Sequence, residues 1–228
     1  MAIKIDELHD FIRGTIKKNY GGFVSPVDID RAINRASFDL FDSLVESYKK
    51  TEEFDYDHLF LKRTDISIAT SDNGVASLPS DYSVGVGFYY KDSSNNLYEG
   101  NLLKWDTFMD RNRSSISPPV INTSTAEYRP IGTIYDKKVE FAPRPSSGTH
   151  NFVLVYFKEP KEGVYGYTES SGVITVNRGT CVDLDWDKRS FSDIANRALT
   201  YLGFPIKDAE IMQLESVVDS NQIRDVNN

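Results

Sequence analysis

Cysteine is all but missing from this chain. Cys181 is the only one, so no disulfide can form within it, and the composition argues for a reducing site of synthesis rather than a secreted, disulfide-held module. Histidine is scarce as well. His9, His58 and His150 have no ligand-like spacing, which leaves a metal site without support. Glycine-rich phosphate loops are missing, as are His-Glu-x-x-His and Gly-x-Ser-x-Gly, so neither a nucleotide site nor an activated nucleophile is indicated. The expectation is a protein that is not an enzyme and carries no cofactor. No run approaches the roughly 18 apolar residues of a membrane span, and Met1 to Asp10 lack the basic and apolar regions of a secretory signal. The chain is expected to be soluble. Positive charge is in deficit too: 26 Lys and Arg face 34 Asp and Glu, for a formal net charge of −8, with −4 on each side of Phe157. A domain that grips nucleic acid by its phosphates needs a basic face. An acidic surface is instead one that DNA passes without sticking.

What is present is an ordinary globular balance, 39 % hydrophobic and 26 % charged, over 228 residues. Ile5, Leu8, Phe11, Ile12 and Ile16 recur at helical spacing until Gly21-Gly22. Ser25, Pro26 and Asp28 form a helix start, because Ser caps orphan amides, Pro suits the first turn and Asp complements the dipole. From there Ile29, Ile33, Ala36, Leu40, Leu44 and Tyr48 make the longest apolar stripe, closed by Lys49-Lys50. Thr51 to Phe60 reads as a turn with a short helix.

The middle of the chain changes period. Asp65 to Thr70 and Val75 to Leu78 flank Asn73-Gly74 and read as a hairpin. Tyr82 to Tyr90 reads as a strand that Ser93 to Asn96 turns back into Leu97-Tyr98, and Trp105, Phe108 and Met109 mark a short helix. Residues 111 to 126 are loop-like. Glu127 to Pro160 then reads as a three-strand meander, with turns at Asp136 to Lys138 and Ser146 to Thr149. In its last run Phe152, Leu154 and Tyr156 point one way and Val153, Val155 and Phe157 the other, so both faces want burial. Such a strand is central, or is covered by a second layer or by another subunit.

Beyond Pro160, Gly163 to Gly179 reads as a protruding hairpin with its tip at Ser170 to Gly172, and its Tyr165 and Tyr167 suit a contact surface. Ser190 with Asp193 signals a helix whose stripe is Ile194, Ala198, Tyr201 and Leu202, stopped at Gly203 to Pro205. A second helix is expected from Lys207 through Ile211, Leu214 and Val218, and then a polar tail over 221–228. Asp183, Asp185 and Asp187 resemble the start of a calcium loop, but the sixth position is Lys188 and the twelfth Ile194, so they read as a solvated strand edge. Carboxylate pairs such as Glu52-Glu53 occur without any sign of two set across a cleft. Arg111, Arg113, Lys137, Lys138 and Arg144 read as solvated charges on turns, and Trp105 and Trp186 as core. The fold class is thus α+β: a helical bundle from 1–62 and 187–220 joined to a central antiparallel β-domain over 63–186, with a protruding insertion at 161–180.

Three phrases in this order carry a resemblance: Leu78 to Tyr82 entering a strand, Tyr128-Arg129-Pro130 leading into Val139 to Pro145, and Leu154 to Pro160. Together with Phe191 to Gly203 they resemble the head-to-tail connector, or tail tubular A type, adaptor proteins of short-tailed bacteriophages. A crAss-like phage ring protein resembles them equally. The resemblance implies a non-catalytic virion protein of the tail or neck, assembled in the host cytoplasm. It implies twelve copies in a ring around the DNA channel, contacting the portal protein and a downstream tail or ring protein, with no membrane. On this reading Val153, Val155, Phe157, Tyr165 and Tyr167 meet the neighbouring subunit, while Val218, Ile223 and Val226 dock on the portal. The alternative is a carbohydrate- or receptor-binding tail module, favoured by the tyrosines of 163–179.

Overall fold

The structure is a computed structural model, and it describes residues 2–21, 23–51, 57–122, 124–125, 127–146 and 148–204. In chain order the elements are β1 (Ala2–Ile3), α1 (Ile5–Tyr20), α2 (Pro26–Thr51), α3 (Asp57–Phe60), β2 (Leu61–Ala69), β3 (Val75–Ser77), β4 (Tyr82–Lys91) and β5 (Leu97–Leu102). There follow α4 (Trp105–Arg113), β6 (Val120–Asn122), β7 (Glu127–Arg129), β8 (Ile131–Tyr135), β9 (Lys138–Ala142) and β10 (Thr149–Lys158). The chain continues through β11 (Tyr167–Ser170), β12 (Val173–Val176), β13 (Leu184–Asp187) and α5 (Phe191–Tyr201). The fold is α+β, in two compact units: Met1–Leu59 with Pro160–Asn228, and Phe60–Glu159.

The first unit is built from amphipathic helices. α1 buries Ile5, Leu8, His9, Ile12 and Ile16, spaced three and four apart, and stops at Gly21, whose φ of 64° is the left-handed conformation that glycine takes without strain. Its first amide is capped from far along the chain, since Ile5 N–H donates to Asp183 Oδ1 at 3.1 Å. α2 starts as its sequence dictates, with Ser25 Oγ accepting the Asp28 amide at 3.2 Å. Its stripe Ile29, Ala32, Ile33, Ala36, Phe41 and Val45 is buried. α5 packs against both helices, burying Ile194, Ala195, Ala198 and Leu199, and Phe11 meets Phe191 edge-on at 5.7 Å. Ile194 and Leu199 alone contribute roughly 3–6 kcal/mol by area burial. Ser190 does not cap α5 with its side chain. The cap lies one turn earlier, where Asp187 accepts the Arg189 amide at 3.2 Å and starts the short helical turn that leads into α5. Trp186 is fully buried and donates its indole N–H to Ser37 Oγ at 2.7 Å.

The second unit is a seven-stranded sheet in the order β2-β10-β4-β5-β8-β9-β3. It is antiparallel except for the pair β5–β8, which runs parallel, so the expectation of an antiparallel domain holds for all but one neighbour. The crossover between those two strands carries α4 and the β6–β7 ribbon, which replaces the structureless loop expected at 111–126.

The sheet's two edge strands are consecutive in the chain. Ala69 ends β2 and Val75 begins β3, and the six steps between them reach at most about 21 Å. A flat seven-stranded sheet would set its edges roughly 29 Å apart. The sheet is therefore curled on itself around one core. Phe141 of β9 stacks on Phe152 of β10 at 4.1 Å although four strand positions separate them in the order, and Phe88, Ile66, Ile68, Val139, Leu154 and Tyr156 fill the same interior.

Two sequence readings fail against this topology. The hairpin expected over Asp65 to Leu78 has its turn, with Asn73 at φ 52° and Gly74 at φ 83°, but its strands pair elsewhere: β2 with β10 and β3 with β9. The meander fails for a linked reason. β8 and β9 form its first hairpin, but the free edge of β9 is taken by β3, and Pro143 and Pro145 in the following loop have no N–H to continue the ladder. The chain crosses instead to β10, which lies between β2 and β4.

Candidate functional site

Residues 161–180, expected as a protruding insertion of the β-domain over 63–186, fall by their contacts with the first unit, as does the whole of segment 160–187 that leads from β10 back into the helices. Two pairs of residues four apart hold it. On α2, Asn34 binds both polar groups of Gly163, accepting its N–H at 2.7 Å and donating to its carbonyl at 2.9 Å, while the Asp30 carboxylate accepts the Tyr165 N–H at 3.2 Å. On α1, His9 stacks on the Tyr165 ring at 4.1 Å and 7° interplanar angle, and the Arg13 guanidinium lies 4.9 Å from the ring centre with Nη1 3.5 Å from the phenol oxygen. Asp30 Oδ1 also meets His9 Nε2 at 2.8 Å, so one carboxylate joins the helices to the segment. Positions i and i+4 share a helix face, which is how both pairs converge on one strand.

A His–Asp pair is part of many nucleophilic sites, but this one is closed. His9 is fully buried, its ring is covered by Tyr165, and its Nδ1 has no partner. The arrangement is a clamp that fixes which face of 163–167 points outward.

That clamp reorders the expected interface. Tyr165 is 5 % exposed and belongs to the core of the first unit. Tyr167 is half-buried, pairs with Val176 across the β11–β12 hairpin and lies 6.0 Å from Tyr165. Exposed apolar side chains of this segment that the sequence reading missed are Val164 and Val182, which face each other across an isolated bridge, and Val173 and Val176 on the hairpin. The signal was there in part, because alternation puts Val164 opposite Tyr165. In the second unit Val153 and Phe157 are fully buried and only Val155 is partly exposed, so this face of β10 is covered within the single chain and not by a neighbour. The surface there is Ile116, 95 % exposed after α4, and Trp105, which packs edge-on against Tyr135 at 4.7 Å and stays 43 % exposed against the expectation of core. Val218, Ile223 and Val226 lie outside the described residues, as does the helix expected from Lys207.

The acidic candidates have structural partners. Asp183 caps α1 and, with Asp6, pairs with Arg178; Asp185 pairs with Lys161 at 3.7 Å; Asp187 caps the turn before α5. Among the described residues no group of three His, Cys, Asp or Glu is placed to hold a metal ion. Arg144 donates at 2.9 Å to Glu140, a carboxylate buried on β9 that also accepts the Tyr135 hydroxyl at 3.2 Å. Asp81 receives the Lys62 ammonium and, at 2.8 Å, the hydroxyl of Tyr156; the Lys62 hydrogen bond is the main cause that holds its carboxyl below the usual value, while burial pushes the Tyr156 phenol up. Tyr98 and Tyr128 stack at 3.7 Å beside Tyr90 and His150, so these rings are spent on one another, and burial pushes the His150 imidazole down.

No helix among the described residues is long and apolar enough to cross a membrane. Compared with known proteins, the chain matches no family model and no curated protein.

Proposed function

We propose that this chain is a structural ring subunit, a head-to-tail adaptor between the portal and the tail of a short-tailed phage, with DNA passing its acidic surface without specific binding. The observation that carries the reading is the distribution of exposed apolar side chains. A ring built head to tail needs two different patches on each subunit. Val164 and Val182, paired across their bridge, offer one on the first unit, with Val176 exposed on the hairpin between them in the chain, and Ile116 or Trp105, each exposed, offers another on the second. The phrases around Leu78 to Tyr82, Val139 to Pro145 and Leu154 to Pro160 supply the resemblance to that adaptor class.

The test is assembly. Purified protein mixed with its portal is expected to give a closed ring, twelve-fold by electron microscopy, and Val164→Asp with Val176→Asp is expected to leave a folded monomer that no longer closes. A wild-type chain that stays monomeric and does not bind portal would overturn the reading.

A further inference from the structure

The first unit carries a second apolar surface, separate from the valines of the bridge. The end of α1, the turn before α2 and the tip of the β11–β12 hairpin enclose a groove of about 620 Å³. The start of α2 and the end of α5 enclose another of about 530 Å³. Phe23 and Val24 line both, which makes them two ends of one surface, and Phe23 is 81 % exposed. An aromatic ring so exposed beside Val173, itself 64 % exposed, is a patch that water covers at a cost and a partner side chain would cover favourably.

The charge around this surface opposes that of the chain. Among the described residues four basic side chains line it, Arg13, Lys17, Arg31 and Arg35, against one acid, Asp28, a local balance of +3 in a chain of −8. Such a rim selects an acidic occupant. The chain supplies one. Residues 205–228 hold Lys207 and Arg224 against Asp208, Glu210, Glu215, Asp219 and Asp225, a balance of −3. Within them Ile211, Leu214 and Val218 fall on one stripe when wound at helical spacing, and a helix from 207 to 218 would be about 18 Å long. Phe204, the last described residue before this segment, is itself part of the wall of the second groove, so the chain enters 205 already at the surface.

We infer that residues 205–228 dock on the Phe23 surface of their own chain, with the apolar stripe over Phe23 and Val24 and the acidic side chains among Arg31 and Arg35. Covalent attachment favours this occupant over a second copy, because a tether that starts at the groove wall holds the segment at an effective concentration on the order of millimolar. The inference does not require that the chain form a ring.

The experiment uses the full-length protein with Phe23→p-benzoylphenylalanine, a substitution that its exposure tolerates, prepared as an equal mixture of ¹⁵N-labelled and unlabelled chains. After irradiation, the cross-linked peptides are expected to join position 23 to a peptide from 205–228 of the same isotopic label. Adding Arg31→Glu and Arg35→Glu is expected to cut that yield at least five-fold, and Glu210→Lys with Glu215→Lys to restore it. Mixed-label pairs would assign the groove to a second copy and overturn the inference. So would cross-links confined to other segments, or a yield unmoved by the charge reversal. A chain that fails to form a ring while giving same-label cross-links leaves the docking intact and counts only against the ring.

Discussion

Truncating Phe157 to Ala tests which chain covers the outer face of β10. Its side chain is fully buried, next to Leu61 on one neighbouring strand and Val84 on the other. A buried phenylalanine truncated to alanine costs about 3–5 kcal/mol in lost transfer energy and cavity. Val153, equally buried, loses two methyl groups on the same change, about 1.6 kcal/mol of transfer at roughly 0.8 each, and about 2 kcal/mol with its cavity. Val155 lies opposite Gly87 and keeps part of its exposure, so its truncation costs less than about 1 kcal/mol. Urea unfolding of the three alanine variants, followed by circular dichroism, should rank Phe157 above Val153 above Val155. With a slope of about 1.5 kcal/mol per molar, the Phe157 variant shifts the midpoint down by at least about 2 M. The reasoning is refuted if Phe157→Ala unfolds at the wild-type midpoint, above all if the same variant loses an oligomer that wild type forms, since Phe157 would then face a neighbour.

Three further outcomes follow from the packing. Gly100→Ala places a Cβ 2.2 Å from the Phe88 ring, directly across the strand pair, so overpacking should cost about 1–3 kcal/mol and lower the melting temperature by roughly 5–20 °C, with Phe88→Leu recovering part of it. Ser37→Ala leaves the buried Trp186 indole N–H without its acceptor and should cost about 1–3 kcal/mol by urea unfolding; an unchanged midpoint would mean that the bond contributes nothing net. Tyr156→Phe keeps the ring and removes the hydrogen bond to Asp81, whose side chain is 34 % exposed, so the loss at neutral pH is at the low end, about 1 kcal/mol. Because the folded Asp81 carboxyl lies below its ordinary 3.8, the stability it contributes is present above that value and is lost as pH falls through the lowered one, so mutant and wild-type melting temperatures should converge in acid.

The local elements were legible because their signals are local. Gly21, Ser25 with Asp28, the 93–96 turn, the Ser171-Gly172 tip and Gly203 each end or start an element where the structure ends or starts it. Hairpin partners were legible where the turn is local, β4 with β5, β8 with β9 and β11 with β12, but those of β2, β3 and β10 were not, because the choice is made by distant chain. Nothing in Val139 to Ala142 tells that its second edge goes to Val75 to Ser77, and the Asn73-Gly74 turn that signals a hairpin serves instead to close the sheet. Gly100 was unremarked for the same reason: its role exists only once Phe88 lies across from it.

The surface was harder to read than the core, and Tyr165 shows why. A tyrosine among glycines and serines has the composition of a recognition loop, and what turns it inward is four side chains on two helices more than a hundred residues earlier. His9 and Arg13, like Asp30 and Asn34, stand four apart, and a polar pair at that spacing beside a buried stripe marks a helix face that something polar must satisfy. That something is the backbone of Gly163 and Tyr165. The same logic bears on β10. Alternating apolar residues on both faces require cover without naming its source, and Val153 and Phe157 take theirs within the single chain. Assembly into the proposed ring would use side chains left out of both cores, and those are short of sequence signal by their nature. Val164, Val176, Val182 and Ile116 are single aliphatic residues among polar ones, and only the fold shows that each stays outside the core of its own unit.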